Sequence, residues 1–330
     1  MIDGFNEDAL ARESGYAETM AGTILPYLAA RECAETVAGD QGRPLYTVSY
    51  TAEQPAGTVL MVHGFTENAY KYAELIWSLL QNGMNVVIYD QRGHGRSWRQ
   101  EGISDQSLTH VDDFNEYVRD MEAVVGKVLS RFPRPWMVFS HSMGGAVTGL
   151  YLERHQDTFE RAAMSAPMIA PNRNGIPLTA GKLLCLSARL LGNGKGRLMM
   201  TRPYSGPEDF ATSCATSRAR FDWYDAVKQQ HQEFQNNSPS YDWTMQSLKV
   251  TDLLLAPGAV EKIACPVRVY TAEDDHSVLP DAQAQFASRL AHGTRTLVLV
   301  KGARHEIYRS TDDVLYPWWH DVLTFLKTGS

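Results

Sequence analysis

A serine between an apolar run and a small-residue stretch is the first place in this sequence where covalent chemistry could occur. In MVFSHSMGGAV (137–147) the run PWMVFS (135–140) reads as a strand and SMGGAVTGLYLERH as a helix, which puts Ser142 on a sharp strand-to-helix turn. The motif for such a turn is G-x-S-x-G, whose glycines let neighbouring backbone approach closely. Here Ser140 replaces the first glycine, while Gly144 and Gly145 are present. Read alone, Ser142 is either a nucleophile or a packed serine at a strand end. The setting favours the nucleophile, because a helix starting beneath the hydroxyl would stabilise developing negative charge.

A serine hydroxyl is a weak nucleophile near pH 7 and needs a histidine base, itself oriented by a carboxylate. On strand-turn-helix scaffolds these follow the serine in the order acid, then histidine. YTAEDDHSV places Glu273, Asp274 and Asp275 just past a strand expected over 265–272, and LVKGARHEIY places His305 just past one expected over 295–302. Both spots are C-terminal strand ends, where open α/β sheets bind ligands. Spacing prefers Asp275 over Asp274, with Glu273 third. No acid occurs between Ala162 and Pro207, so none directly follows the strand 160–169. Of the ten histidines only His305 directly follows the last strand; His141 is the spacer of the turn, and His276 reads as a solvated loop residue.

An acyl-transfer site also needs two backbone N–H groups for the oxyanion, one from the residue after the nucleophile and one from the loop after an earlier strand. Met143 and Phe65, the latter in VHGFTEN, occupy those places, although His63-Gly64 alone would pass as turn chemistry. Asp90, Arg92 and His94 in DQRGHGRS read as a structural tie of their loop. A metal shared by His63, His94 and His141 is disfavoured for want of an accompanying carboxylate or thiolate set, so neither metal nor cofactor is assigned.

The elements that must position these groups alternate along the chain. Strands are expected over 44–52, 57–64, 84–90, 135–140, 160–169, 265–272 and 295–302. Helical patterns fall at 69–81, 114–129, 142–155, 281–291 and at the C-terminus, where Ser310 and Asp313 resemble a capping box and Pro317 predicts a kink or restart. Such alternation implies an α/β fold with a doubly wound, mostly parallel sheet. Residues 171–255 break the rhythm with Gly, Pro, Asn and Ser but carry many aromatics, and read as a mainly helical cap inserted after the sixth strand. The expected organisation is an acidic N-terminal arm or helix (1–34), a core (35–170 and 256–330) and the cap (171–255).

Composition narrows the classes. The chain has 330 residues, 44% hydrophobic and 21% charged, as expected of a globular protein. Its net charge of −7 is concentrated in the first forty residues, and no basic stripe suggests a nucleic-acid partner. Four scattered cysteines without a C-x-x-C pair fit a reducing, cytoplasmic compartment, and no leader-like or membrane-spanning run is seen. The run YPWWH (316–320) reads first as core packing and second as a peripheral membrane contact.

Taken together, VHGFTENAYKY, YDQRGHGRS, HSMGG, the acid loop and GARHE resemble the α/β-hydrolase fold, and within it the monoacylglycerol lipases and similar lysophospholipases. The resemblance covers roughly 35–170 and 258–328. It implies a Ser142–Asp275–His305 triad, an oxyanion hole at Phe65 and Met143, and a carboxylic ester hydrolase acting on a monoacyl lipid, a monoacylglycerol or a lysophospholipid, under a cap. Trp223 and Trp243 are the cap aromatics put forward as liners of an acyl site. The sequence departs from the family at Ser140, usually glycine, and at Gln91, usually histidine. Rivals are an esterase for small aryl or short-chain esters, a peptidase, and a ligand receptor that keeps this fold without turnover. A dehalogenase or epoxide hydrolase would carry Asp in place of Ser142. Oligomeric state is left open.

Overall fold

Each central strand is apolar on both faces, so it can be buried only between two layers. Val59 and Met61 point to one side of the sheet and Leu60 and Val62 to the other, and all four are buried. In the computed structural model, which describes Asn6, residues 9–291 and residues 296–330, the resulting sheet has eight strands. They are β1 (Glu32–Ala38), β2 (Pro44–Tyr50), β3 (Gly57–Val62), β4 (Met84–Tyr89), β5 (Trp136–His141), β6 (Arg161–Ser165), β7 (Val267–Asp274) and β8 (Leu297–Arg304). Their spatial order is β1-β2-β4-β3-β5-β6-β7-β8. The β1/β2 and β2/β4 pairs are antiparallel and all others parallel.

The longer helices are α1 (Ala73–Gln81), α2 (Asn115–Lys127), α3 (Met143–Leu152), α4 (Leu178–Leu190), α5 (Arg218–Gln230), α6 (Tyr241–Leu254), α7 (Pro280–Ser288) and α8 (Asp312–Thr328). Helices α2, α3 and α7 cover one face of the sheet. Helices α1 and α8 cover the other, together with helical turns over 16–29. This is the α/β, doubly wound arrangement expected. After β6, the sixth strand of the sheet, the chain leaves it, forms α4, α5 and α6, and returns at β7. A small second sheet pairs Leu108–Thr109 with Ser238–Pro239 and ties this excursion to the core.

Three differences from the sequence reading have physical causes. Strand β1 straddles residue 34, where arm and core were expected to meet, because an edge strand half open to water carries little apolar signal. The described part of the N-terminal stretch packs rather than floats: Tyr16, Met20, Ile24 and Leu28, four apart, are buried. Helix α8 starts at Asp312 without a side-chain cap and runs unbroken through Pro317. Burial of Leu315, Trp318, Trp319 and Val322 holds it across the missing N–H. The two tryptophans of YPWWH are thus core, with Trp319 fully buried. Residues 1–5, 7 and 8 of the expected arm and the first residue of the expected strand 295–302 lie outside the described residues.

Candidate active site

Four loops leave the C-terminal edge of the sheet, after β3, β5, β7 and β8, and each candidate group stands within three residues of a strand end. The β5–α3 turn is the tightest. Ser142 has φ 52° and ψ −119°, a conformation that costs a non-glycine residue energy and persists only when its surroundings enforce it. Here they do: its N–H donates to the Ser165 carbonyl (3.1 Å), and its own carbonyl accepts from Gly145, Ala146 and Met168. A Cβ at Gly144 would lie 2.1 Å from the Val62 carbonyl oxygen, so this position requires glycine. Ser140, by contrast, sits in regular strand pairing between Val62 and Met164, where no unusual backbone demands glycine. Its buried hydroxyl has no partner among the described residues.

The Ser142 hydroxyl lies 2.8 Å from His305 Nε2, and His305 Nδ1 lies 2.8 Å from Asp275 Oδ2. The other Asp275 oxygen accepts from the backbone N–H of Ser277 (2.9 Å) and Val278 (3.1 Å). Burial pushes this carboxyl up, but the hydrogen bond and charge of His305 and the two N–H donors outweigh it and hold it below its ordinary value. The competing acids are occupied elsewhere. Asp274 pairs with His276 (2.9 Å), and Glu273 accepts from the Gly302 N–H (2.8 Å).

The two candidate oxyanion donors, the N–H groups of Phe65 and Met143, have no protein acceptor among the described residues. Met143 opens α3, so its N–H is one of those a helix start leaves unpaired. Phe65 lies in a loop braced by residues the sequence reading passed over. Glu67 Oε2 accepts from the Gly64 N–H and from the Tyr72 hydroxyl, each at 2.6 Å, and Glu67 Oε1 accepts from Lys71 (3.2 Å) and from the Tyr308 hydroxyl. Burial pushes Glu67 up, but the Lys71 charge, then His141 and the two tyrosine hydroxyls, hold it ionised well below the usual range. Lys71 also bonds Glu306 (2.6 Å), the neighbour of His305, so one buried lysine joins the oxyanion loop to the histidine loop. The only hint in the sequence was a carboxylate inside a turn flanked by buried segments.

Gln91 now has a role: its N–H donates to His63 Nε2 (2.9 Å) and its side-chain amide to the His63 carbonyl (2.5 Å). His63 Nδ1 meanwhile bonds the Gly64 carbonyl (2.7 Å), so both ring nitrogens are engaged. Arg92 binds Asp120 and Glu116, each at 2.6 Å, in the loop-tying role expected of it. His141 is buried beside His305, their ring centroids 4.8 Å apart, and burial pushes its imidazole down to about 4. One trio among the described residues, His110, Asp112 and Asp242, brings metal-ligating atoms within 4.8 Å of one another. Both His110 nitrogens are engaged there, by Ser240 and by Asp112.

Ser142 and His305 open on a cavity of about 230 Å³ whose wall includes Phe65, Met168 and Trp243. Trp243 packs against Phe65 with centroids 4.1 Å apart and ring planes tilted by 35°. Trp243 and Pro171 are shared with a second, mostly apolar cavity of about 250 Å³ between α4 and α6, lined by Ile176, Leu184, Leu198 and Leu248. Trp223 is not among the residues of either cavity; it packs against Tyr16, Tyr70 and Tyr224.

Relatives carry the same overall design. Lysophospholipase L2 of Escherichia coli strain K12 is 29% identical over 339 residues, covering 97% of this chain and 95% of its own length. Monoglyceride lipase of Rattus norvegicus is 32% identical over 143 residues, covering 42% of this chain and 44% of its own. The crystal structure of a soluble variant of monoglyceride lipase from Saccharomyces cerevisiae, in complex with a substrate analog, superposes with a TM-score of 0.69 at 20% identity, over 91% of this chain and 97% of that one. That likeness establishes the fold. A family model described as serine aminopeptidase, S33 matches residues 53–312, and the chain belongs to that family of α/β hydrolases.

Proposed function

We propose that this chain hydrolyses the carboxylic ester of a monoacyl lipid, a monoacylglycerol or a lysophospholipid, through an acyl-enzyme on Ser142. The reading rests on one observation above all: the unbroken chain Ser142 Oγ–His305–Asp275, with both links at 2.8 Å, facing a cavity that borders a second, apolar one. His305 Nε2 takes the serine proton as Oγ attacks the ester carbonyl. The Phe65 and Met143 N–H groups receive the oxyanion, supported by the positive end of α3. His305 then protonates the departing alcohol, and the same ring activates water to cleave the acyl-enzyme. Asp275 fixes the tautomer with Nδ1–H donating and stabilises the imidazolium.

The α4–α6 cavity, entered past Trp243, is the acyl site in this reading, and residues 171–255 act as its cap. Relatives named as lysophospholipase and monoglyceride lipase support the same substrate class. Four free cysteines spread along the chain support a cytoplasmic setting, with lipid reached by peripheral contact. Among the described residues no helix is long and apolar enough to cross a membrane.

Purified protein assayed against monoacylglycerols, lysophospholipids and p-nitrophenyl esters of rising chain length tests this. Multiple turnover rising with chain length is expected, with Ser142→Ala lowering kcat on the order of 10⁶-fold. A preference for acetyl or aryl esters would point instead to a small-ester hydrolase, and tight retention of ligand without turnover to a receptor.

A further inference from the structure

The small second sheet brings the exits of its two strands together. Past Leu108–Thr109 come His110 and Asp112, and past Ser238–Pro239 come Ser240 and Asp242, where α6 starts. One ring nitrogen of His110 and one carboxylate oxygen each of Asp112 and Asp242 lie within 4.8 Å of one another. His110 and Asp242 are buried, at 3% and 8% exposure, whereas Asp112 faces water. Two carboxylates this close repel unless a positive charge lies between them, and a neutral imidazole supplies none.

Asp242 is the member of the trio that the protein leaves unsatisfied. Its Oδ1 is buried and has no hydrogen-bond partner among the described residues. Arg189 Nε approaches that oxygen only to 4.0 Å, from a mostly exposed side chain. The carboxylate is held from behind by Gly194, where a Cβ would lie 2.3 Å from Oδ2. An acid in the first turn of a helix gains from the dipole, but it gains that in water too, so the dipole gives no reason to bury this one. His110 is held as metal-binding histidines are, by the nitrogen turned away from the site. Its Nδ1 lies 2.9 Å from Ser240 Oγ, the same oxygen that accepts from the Trp243 N–H (3.0 Å). With Nδ1–H donating to that oxygen, Nε2 turns a lone pair toward Asp112 Oδ1, 3.2 Å away, and two such acceptors face each other only across a cation.

We infer that His110, Asp112 and Asp242 form a binding site for a divalent cation of the zinc class. One imidazole nitrogen and two carboxylate oxygens suit such an ion, with water completing its shell. Ligands about 2.1 Å from one ion stand no more than about 4.2 Å apart, so the trio must draw in slightly from its 4.8 Å, a movement open to the exposed Asp112 side chain. The ion clips the insertion to the core at the root of α6, one residue from Trp243, which both cavities share. The site does not depend on the lipid-hydrolase reading.

The purified chain, stripped of metal with a chelator, is titrated with zinc chloride by calorimetry and melted with and without it. One equivalent is expected to bind with a Kd of about 1 μM or below, and zinc at about a hundred times that Kd to raise the melting midpoint by about 3 °C or more. Magnesium, which prefers all-oxygen sites, should leave the midpoint within about 1 °C. Asp112→Ala and Asp242→Asn should each weaken zinc binding about a hundredfold or more. Without metal, Asp112→Ala should melt within about 1 °C of the unsubstituted chain, because its side chain is exposed, and Asp242→Asn at or above it, because a buried unpaired charge is gone. Three results would each overturn the proposal. They are no binding at one equivalent, binding undiminished by both substitutions, which would place the zinc on the cysteines or other histidines, and a metal-free Asp242→Asn chain that melts well below the unsubstituted one, which would make Arg189 the partner of that carboxylate.

Discussion

Ser142 holds an unfavourable backbone conformation because four hydrogen bonds and a glycine-dependent close approach leave it no other. Its partner acid is decided by one residue of reach. Asp275 turns back under His305, whereas Asp274 pairs with the exposed His276. Replacing Asp275 with Asn should therefore lower kcat about 10⁴-fold by presenting the wrong tautomer, while Asp274→Asn stays within a few-fold. Steady-state kinetics on one ester measures both, and similar losses in the two variants would contradict the assignment. Ser140 makes a separate prediction. Its buried hydroxyl has no partner among the described residues, so Ser140→Ala should raise stability by about 1 kcal/mol in urea unfolding, whereas a hidden bond would make the change destabilising.

Helix α5 belongs to the same inserted stretch as α4 but is anchored where α4 is not. Arg220, with a 1% exposed side chain, bonds both oxygens of Glu74 on α1 (3.0 Å each), Asp312 at the start of α8 (2.9 Å) and the carbonyls of Ala11 and Ser310. One guanidinium thus joins the N-terminal stretch, the core and the insertion. Arg220→Met should cost about 3–5 kcal/mol by stranding buried carboxylates, and adding Glu74→Met should recover part of the loss. Denaturation of the single and double variants checks this; a double variant no better than the single would argue that Arg220 acts through shape alone. Helix α6 supplies Trp243 to both cavities. Trp243→Ala should reduce kcat/KM for long-chain esters about 10–100-fold more than for acetate, the worth of one buried large side chain.

The molecule as a whole buries many ionisable groups. His63, His94, His110 and His141 are all held below the ordinary imidazole value, with burial the largest cause for each. A histidine whose folded pKa is depressed stays neutral in the fold but takes a proton when unfolded, so stability falls as pH drops below about 6.5. Asp275 and Glu306 extend the trend lower. Burial pushes both up; His305 outweighs it at Asp275, and Lys71 and Arg309 hold Glu306 down at about 2, so their stabilisation is present above about 4 and lost in acid. Burial pushes Glu153 up to about 8 and also raises Asp90, Glu116 and Asp120, which run the other way, so urea midpoints should decline from pH 7 to pH 4 by less than the histidines alone would give, each histidine contributing up to about 1.4 kcal/mol per pH unit. A flat profile over that range would mean that these rings are not neutral in the fold.

Local chemistry and periodicity made much of this protein legible from its residues alone. Apolar runs such as VLMV and NVVIY can be satisfied only inside a two-layered sheet, and the turn SHSMGG reads as a strand-to-helix elbow wherever it occurs. Those properties belong to neighbours along the chain. What needed the third dimension was every contact between residues far apart in the chain: the bond that joins Asp275 to His305, Trp243 at the cavity and Trp223 away from it, and a salt-bridged Arg220 in the mainly helical insertion. Glu67 and Lys71 stayed invisible, and the role of Gln91 unread, for the same reason, since their partners lie up to 241 residues away in the chain. Nor could the leucines of α4 be told from core leucines, because helical spacing fixes which residues share a face and only packing decides whether anything covers it.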